Sequence, residues 1–167
     1  LWLCGPEALS ADVEPVRRKP VFCADSGGYY VLRGPKAWAM MRCHTYRDRP
    51  GQADMLHVDL WIDGLNILRD GGTYRYYDQA GRGKWFKSTA AHNTVEVDSE
   101  DQMIKGPRFL WFRWTRSRLL CSPVQDSRSV MGSHDGYTRF GVTHQRLLIR
   151  IGDAWAIIDE LLGRGRH

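Results

Sequence analysis

The residues of this sequence that are best placed for chemistry are two histidines, an aspartate and a glutamine. Asp70 stands directly before a glycine pair, His92 opens a segment of alternating residues, and Gln52 and His57 lie upstream of both. Imidazole and carboxylate groups transfer protons and bind metals, and when buried together they satisfy each other's hydrogen bonds. We predict that a β hairpin brings Gln52, Asp70 and His92 together, with His57 nearby, and that this is the chemical site of the chain.

The elements that must position these residues are predicted from the spacing of apolar side chains. Apolar and polar residues alternate from Met55 to Ile62, which is typical of a half-buried strand, and Asn66–Arg69 is predicted as the returning strand. The glycines after Asp70 tolerate positive φ, so Asp70 is expected at a backbone bend that ends this second strand. The parity of positions along an extended strand directs His57 to the face opposite Gln52.

A further strand is predicted to begin at His92 and to run to Val97. Other short strands, separated by Gly, Asp and Pro turns, are expected at Pro20–Ala24, Tyr29–Arg33, Lys36–Cys43, Leu119–Ser122, Ser127–Met131, Val142–Ile151 and Ala154–Leu162. The last two are expected to form a hairpin across Gly152 and Asp153. Because no long helical pattern occurs, these closely spaced strands predict an all-β domain in which one antiparallel sheet packs on another.

Three motifs carry a resemblance to a known family. They are G-Q-A-D-x-L-H-x-D-L-W-x-x-G-x-N-I-x-x-D-x-G-T-Y from Gly51, S-T-A-A-H-N-T-V-x-V-D from Ser88, and D-Q-M from Asp101. In these motifs the chain resembles the C-terminal β domain of heparinase II/III-like proteins, which are polysaccharide lyases and lyase-like proteins. The resemblance extends from about Gly27 to the C-terminus. It implies an antiparallel β sandwich of the supersandwich type, truncated from a larger protein in which a helical α/α toroid precedes the β domain.

The division of the chain follows from composition. Residues 1–19 contain two prolines and a basic cluster without a stable period, which indicates a linker or the tail of a preceding domain. Residues 20–167 are predicted to form the β-sandwich domain, C-terminally incomplete because the sequence stops soon after an apparent strand. No apolar run approaches the roughly 20 residues of a membrane span. The compartment stays open between the bacterial periplasm and the cytoplasm.

The resemblance also implies a metal site, usually zinc, whose ligands are two histidines and an aspartate. Asp70 and His92 match two of these positions, but Gln52 occupies the position of the first histidine, with the family's spacing to Asp70 preserved. An amide oxygen is a weaker zinc ligand than an imidazole nitrogen. The candidate metal residues are therefore Gln52, Asp70 and His92, with zinc as cofactor. The alternative is a buried hydrogen-bond cluster of the same residues without metal.

The reaction that the resemblance implies is β-elimination on uronic-acid sugars. A base removes the proton next to the sugar carboxylate, and an acid protonates the departing glycosidic oxygen. In related lyases a tyrosine and a histidine for these steps lie on the preceding helical toroid, so no catalytic residue is assigned to this chain and it is expected to be inactive alone. Pro50 stands where a further histidine of the family would assist at the carboxylate.

An aromatic and basic loop is expected between Tyr74 and Lys87. Aromatic rings pack on sugar faces and cationic groups pair with carboxylates, so such a loop suits the binding of an acidic polysaccharide. The predicted substrate-binding residues are His57, Tyr74, Tyr76, Arg82 and Trp85. An ordinary surface loop anchored by its aromatic rings is the alternative.

The net charge limits the classes of binding partner, and the cysteine spacing limits the kinds of metal or redox site that the chain can contain. The formal net charge of +5 and the pI of about 9.2 favour either polyanionic partners or a solvated basic surface. No aromatic RNA-binding motif or recognition-helix pattern indicates nucleic acid. No C-x-x-C pair indicates a zinc ribbon or a redox dithiol. Cys23 and Cys43 lie in strand-like runs and are predicted to be buried thiols, with a disulfide between them as the alternative.

The sequence therefore predicts the β domain of a polysaccharide lyase-like protein, which forms one wall of a cleft for acidic polysaccharide. The alternative is a carbohydrate-binding or structural β sandwich without catalysis. No nucleophile-elbow motif such as G-x-S-x-G accompanies His92, so a hydrolase triad is rejected. The remaining histidines, His44, His134, His144 and His167, show no ligand spacing and are expected on the surface.

Overall fold

Residues 18–75, 81–123 and 127–167 are described by a computed structural model, and within them the chain forms eleven β strands. The strands are β1 (Val21–Ala24), β2 (Tyr29–Arg33), β3 (Ala37–Arg42), β4 (Val58–Ile62), β5 (Leu65–Leu68), β6 (Ile104–Lys105), β7 (Trp111–Phe112), β8 (Ser117–Cys121), β9 (Ser129–His134), β10 (Thr143–Ile151) and β11 (Ala154–Leu162). Three short 3₁₀ helices accompany them, at Arg82–Lys87, Thr89–Ala91 and Thr138–Phe140. The predicted all-β class is confirmed.

The first five strands form one antiparallel sheet in the order β1-β2-β3-β4-β5. Most of its connections are short turns, but β3 and β4 are joined by residues 43–57, which carry Gln52 and His57. Within β3, Ala39 and Met41 are fully buried, as the period-two pattern of a strand with one inward face requires. The long connection between β3 and β4 is therefore the segment next to this sheet that can place side chains in a site.

Strands β8 to β11 form a second antiparallel sheet in the order β11-β10-β9-β8. Paired residues join β10 to β11 along their full length, from Thr143 opposite Leu162 to Ile151 opposite Ala154. Gly152, with φ 62°, lies in the turn between them. The predicted terminal hairpin is thus confirmed, and β6 and β7 form a separate two-stranded ribbon.

One apolar core lies between the two sheets. Buried side chains reach it from β2 to β4 and from β9 and β10, namely Tyr30, Leu32, Ala39, Met41, Val58, Leu60, Val130 and Leu148. At Gly132 of β9 the backbone approaches the first sheet closely, because an added Cβ would lie 2.8 Å from Cys43 Sγ and 2.9 Å from Leu56 Cδ2. Removal of this apolar surface from water is the main force that holds the sandwich together.

The hairpin of β4 and β5 differs in detail from the prediction. β4 begins at Val58 rather than at Met55, because Leu56 has φ 58° and interrupts the extended backbone. The turn is made by Asp63 and Gly64, with φ 47° and 79°, so β5 begins one residue earlier than expected. Asp70 does follow the returning strand at a bend, as the glycine pair predicted.

The segment 92–97 does not form the predicted strand and takes part only in one isolated bridge. Its polar side chains bind backbone carbonyls of other segments instead. Asn93 Nδ2 donates to Val58 O at 3.1 Å and to Arg69 O at 3.2 Å, and the Thr94 hydroxyl donates to a carbonyl of the 43–57 loop at 2.7 Å. These bonds to distant segments hold residues 92–97 in an irregular backbone in place of a sheet ladder, although their sequence alternates.

Cys23, Cys43 and Cys121 are free thiols. Cys43 is buried as predicted, whereas Cys23 is only half-buried. Among the described residues, no helix is long and apolar enough to cross a membrane. The predicted linker at 1–19 lies outside the described residues except for its last two positions.

Candidate functional site

Three segments assemble the candidate site. The first is the 43–57 loop, the second follows β5, and the third follows the 3₁₀ helix Thr89–Ala91. They place His57, Asp70 and His92 in one cluster whose potential ligand atoms lie within 4.8 Å of one another. Both histidines are buried, whereas the Asp70 side chain is 33% exposed. Asp70 is therefore the member of the cluster that meets solvent.

The Asp70 carboxylate is the centre of the cluster. Its Oδ2 lies 2.8 Å from His92 Nδ1 and 3.7 Å from His57 Nε2. Its Oδ1 accepts a hydrogen bond from the Gly72 backbone N–H at 2.6 Å. The two imidazole rings meet edge to face, with their centroids 5.7 Å apart. Donors thus surround the carboxylate on both oxygens.

These donors keep Asp70 ionised. Burial raises the pKa of Asp70, but the hydrogen bonds from the Gly72 N–H and from His92 lower it more, so the net pKa lies below its ordinary value. Burial is also the largest influence on His57, whose pKa lies below its ordinary value even beside Asp70. At neutral pH the cluster therefore contains an ionised carboxylate next to a neutral His57.

Hydrogen bonds determine where the imidazole protons lie. A carboxylate only accepts, so His92 donates its Nδ1–H to Asp70. His57 Nδ1 accepts the backbone N–H of Asn93 at 3.0 Å, so neutral His57 carries its proton on Nε2. Both Nε2 atoms are buried, and neither has a hydrogen-bond partner among the described residues.

The cluster suits zinc in residue types and spacing but not in proton positions. A histidine that binds zinc presents a lone pair to the metal and usually donates its other ring N–H to an acceptor. His57 has the reverse arrangement, because its Nδ1 receives the Asn93 N–H and its Nε2 directs a proton toward Asp70. Zinc binding through His57 Nε2 would therefore require the loss of the Asn93 N–H bond to Nδ1.

Gln52, the third residue of the predicted metal set, donates its side-chain Nε2 to two backbone carbonyls. They belong to Gly72 and Phe86, each at 3.3 Å. Gln52 and His57 line the same cleft as Asp70, so the expectation that strand parity separates Gln52 from His57 is wrong. The backbone between them is a loop with a left-handed residue, and strand parity does not apply there.

The cleft beside the cluster has a volume of about 210 Å³. It is lined by Tyr29, Met40, Arg42, Gln52, Asp54, His57, Asp59, Asp70 and Thr73. Asp54 is neutralised by an ion pair with Arg42 and accepts the Tyr46 hydroxyl at 3.2 Å. Burial strongly raises the pKa of Tyr46, so this hydroxyl remains a donor. Asp59 and Asp70 are left as carboxylates without a cationic arginine or lysine partner among the described residues.

Arg146 on β10 supports the segments that carry both histidines of the cluster. Its Nη1 donates to the carbonyls of Leu56 at 2.7 Å and Asn93 at 2.5 Å, which directly precede and follow the two histidines. Its Nε and Nη2 donate to the two carboxylate oxygens of Asp159 at 2.6 and 2.9 Å. A charge-assisted, forked set of hydrogen bonds therefore fixes the cluster to the second sheet.

A chain of hydrogen bonds continues from Asp159 into β9. Asp159 accepts from His144 Nε2 at 2.6 Å, His144 Nδ1 lies 3.0 Å from His134 Nε2, and the Gly136 N–H donates to His134 Nδ1 at 3.1 Å. Both rings are therefore neutral with the proton on Nε2. The expectation that His134 and His144 lie on the surface is wrong, because they are paired in register on buried positions of adjacent strands.

The aromatic loop is only partly described. Tyr74 stacks on Phe86 with ring centroids 5.4 Å apart, and Trp85 meets Phe86 edge-on at 5.1 Å. Tyr74 and Trp85 are each about half exposed. Tyr76 and the Arg82 side chain lie outside the described part of the chain. Substrate binding by these residues remains a prediction.

Two residues that hold the site were not identified as functional from the sequence. Gln102 is fully buried, and its side-chain amide both accepts the Met55 N–H at 2.8 Å and donates to Met55 O at 3.0 Å. It therefore fixes the 43–57 loop. Its place in the D-Q-M motif was the one feature of the sequence that could have identified it. Arg146 had no such signal, because a single arginine in an alternating strand does not indicate burial.

The family profile described as "Heparinase II/III-like, C-terminal" matches residues 16–167. The chain belongs to the heparinase II/III-like family. Solved structures similar to this heparinase II/III-like domain include a heparinase III gene product, with TM-score 0.74 and 17% identity over 95% of the chain. A crystal structure of heparinase III matches with TM-score 0.69 and 21% identity over 89% of the chain. A heparan sulfate lyase, HepC from Pedobacter heparinus, matches with TM-score 0.70 and 17% identity over 95%.

The heparinase II/III-like domain spans about a quarter of the length of these structures, between 23% and 24% of each. A search of curated proteins finds no match. At these identities the structural similarity establishes the shared fold. The predicted family is confirmed by the profile match, which covers most of the chain.

Proposed function

We propose that this domain forms one wall of a cleft that binds a uronic-acid polysaccharide in a heparinase II/III-like lyase. A helical domain of the parent protein completes the cleft and supplies the groups that carry out β-elimination. The observation that carries the proposal is the family match, combined with a cleft that Asp70 lines as a partly exposed, ionised carboxylate. The similar structures of a heparinase III and a heparan sulfate lyase support an acidic polysaccharide as the substrate class.

The side chains of this domain suit binding and orientation of the sugar. Asp70 accepts hydrogen bonds from sugar hydroxyls, since its carboxylate is ionised and partly exposed. Tyr74 and Trp85 present half-exposed rings on which sugar faces pack. His92 is enclosed and orients Asp70 through its Nδ1–H. The proton next to the sugar carboxylate is removed by a base of the helical domain.

The cluster of His57, Asp70 and His92 works in this proposal without a metal. The zinc site implied by the resemblance, with Gln52 as a ligand, is the alternative. Zinc would supply a Lewis acid to the site, but binding through His57 requires the loss of the Asn93 N–H bond to its Nδ1. We expect purified protein to contain far less than one zinc per chain. We also expect its melting temperature to be unchanged by chelator.

Elemental analysis of the wild type and of Gln52→His tests this expectation. Gln52→His restores the histidine that the family resemblance implies, so this variant is expected to gain zinc and a melting temperature that falls when chelator is added. Stoichiometric zinc in the wild type, with a melt that chelator lowers, would contradict the metal-free cluster. The polysaccharide proposal does not depend on this result.

Activity of the parent protein tests the function itself. The intact protein, with its helical domain, is incubated with uronic-acid polysaccharides, and the unsaturated product of β-elimination is followed by its ultraviolet absorbance. Asp70→Ala in the same protein is expected to weaken substrate binding. No unsaturated product from any uronic-acid polysaccharide, together with no binding of them, would rule the proposal out.

One observation favours a second function, binding of carbohydrate without catalysis. His92 is fully enclosed and the His57 Nε2 is buried, so neither imidazole reaches a ligand in the conformation described. Binding of uronic-acid oligosaccharides by the intact protein without release of unsaturated product would select this second function.

A further inference from the structure

A second cleft, of about 340 Å³, adjoins the cleft of the His57–Asp70–His92 cluster. Gln52 and Thr73 line both clefts and form the border between them. The two differ in charge. Three carboxylates and one arginine line the first, whereas Arg49, Lys87 and Lys105 line the second and no acidic side chain does. A ligand that spans the border therefore meets hydrogen-bond acceptors on one side and cations on the other.

Lys105 is the most constrained of these cations. Its Nζ atom is buried and has no hydrogen-bond partner among the described residues, and it lies 4.1 Å from the centroid of the Trp111 ring. A buried ammonium without a hydrogen-bond acceptor costs free energy. Burial, followed by the repulsion of Lys87, lowers the pKa of Lys105, and the charge of Asp101 only partly opposes this shift.

Phe109 holds the other two cations at the rim of the cleft. Lys87 Nζ lies 5.0 Å from the Phe109 ring centroid and the Arg49 guanidinium carbon lies 5.4 Å from it. Among the described residues, no carboxylate forms a salt bridge with Arg49, Lys87 or Lys105. Like charges that converge without a counterion repel each other, so an anion in this cleft would relieve the repulsion.

We propose that Arg49, Lys87 and Lys105 form an anion subsite that binds the carboxylate or sulfate group of an acidic saccharide. The hydroxyl groups of the same saccharide lie in the adjoining cleft, against Asp70. This inference rests on the proposed function for the identity of the saccharide, but not for the existence of the anion site. Lys105 lines the cleft, and its flexible side chain turns the buried Nζ atom, which has no hydrogen-bond partner among the described residues, toward the oxyanion. Lys87, at the rim of the same cleft, donates to this oxyanion from its Nζ atom.

Calorimetric titration of the 167-residue chain tests the subsite. The probes are inorganic sulfate, an unsulfated uronic-acid oligosaccharide, a sulfated one, and a neutral oligosaccharide of the same length. The variants are Lys105→Met and Lys87→Met, with Lys36→Met as the matched control, since Lys36 is an exposed lysine in the turn before β3. We expect each cleft variant to weaken binding of the acidic probes about tenfold, and Lys36→Met to leave it unchanged.

The melting temperature separates a binding role of Lys105 from a structural one. If the contact of Lys105 with Trp111 stabilises the fold, Lys105→Met would remove that contact and lower the melting temperature. If Lys105 serves to bind an anion, its buried ammonium group destabilises the anion-free protein. Lys105→Met is then expected to leave the melting temperature unchanged or raise it. A lowered melting temperature with unchanged sulfate affinity would overturn the subsite.

The outcomes also separate this inference from the proposed function. Sulfate binding that depends on Lys105, without binding of either acidic oligosaccharide, would keep the subsite and reject the polysaccharide. Binding of acidic oligosaccharides that is equal in the wild type and in both cleft variants would keep the polysaccharide and reject the subsite. A stronger effect of the variants on the sulfated probe than on the unsulfated one would assign the subsite to sulfate.

Discussion

Asp70 is the residue on which the candidate site depends, because it links the exposed cleft to two buried histidines. Its carboxylate accepts the Gly72 N–H on one oxygen and the His92 Nδ1–H on the other. The left-handed conformation of Gly72, with φ 76°, is what allows the backbone to turn its N–H toward the preceding side chain. The role of the glycine pair is therefore to satisfy the carboxylate as well as to end the strand.

We predict that Asp70→Ala and His92→Ala each destabilise the domain by about 1–3 kcal/mol. The first leaves the enclosed Nδ1–H of His92 without an acceptor, and the second removes a donor from a partly buried carboxylate and leaves a cavity. Denaturant unfolding at neutral pH measures both. If neither variant lowered the free energy of unfolding, the three residues would not form a shared cluster.

At the scale of elements, β10 connects the two sheets at the site through Arg146. The guanidinium reaches backbone carbonyls beside both histidines, while its other nitrogens bind the Asp159 carboxylate of β11. Burial raises the pKa of Asp159. Its hydrogen bonds to His144 and Arg146 lower this pKa by a larger amount, so the net pKa lies well below the ordinary value. The hairpin of β10 and β11 is thus both a wall of the core and the support of the site.

We predict that Arg146→Lys destabilises the domain by about 3 kcal/mol, although it keeps the charge. An ammonium group cannot bind both oxygens of Asp159 and two carbonyls at once in the geometry of the guanidinium. Arg150→Lys on the same strand is the control, because the Arg150 side chain makes an exposed hydrogen bond to a turn carbonyl. It is expected to change the free energy of unfolding by less than about 0.5 kcal/mol. Equal effects of the two substitutions would contradict the supporting role of Arg146.

At the scale of the whole molecule, the core between the sheets contains a buried polar line as well as apolar side chains. His134 and His144 are almost fully enclosed, yet their hydrogen bonds are satisfied in sequence from Gly136 to Asp159. Burial, followed by electrostatic interaction with the neighbouring His144 and Arg146, lowers the pKa of His134 well below its ordinary value. The folded state therefore keeps His134 neutral, whereas the unfolded chain does not at mildly acidic pH.

We predict that the domain loses stability as pH falls below about 6.5, the ordinary pKa of histidine. Below this value the unfolded chain binds protons at His134 and the folded chain does not, so acid favours unfolding, and His57 acts in the same direction. The lowered pKa of Asp70 adds a second loss below about pH 4, as its carboxylate becomes protonated.

Melting temperatures between pH 8 and pH 5 measure the first of these losses. His134→Gln is expected to flatten the slope between pH 7 and pH 5. His167→Gln is expected to steepen it slightly instead, because the hydrogen bond to Asp98 raises the pKa of His167 and this histidine therefore opposes the loss of stability in acid. An unchanged slope in His134→Gln would show that another group controls the acid sensitivity.

The sequence alone determined the all-β class and the approximate positions of most strands. β-rich composition between Gly, Asp and Pro turns is a local property of the sequence, so it predicted β2 and β11 at their observed bounds. The glycine pair after Asp70 is also a local signal, since only a backbone with positive φ makes that bend. The family motifs are continuous stretches of sequence, so the family could also be predicted without the tertiary structure.

Only the tertiary structure decided which side chains meet. Gln52 and His57 line one cleft because the backbone between them is a loop with a left-handed residue, Leu56, and strand parity does not apply to a loop. Arg146, His134 and Gln102 act on partners far along the chain, through the packing of two sheets and one long loop. Local alternation determines how a strand is formed, but contacts between distant segments depend on how the sheets pack, and the site is made of such contacts.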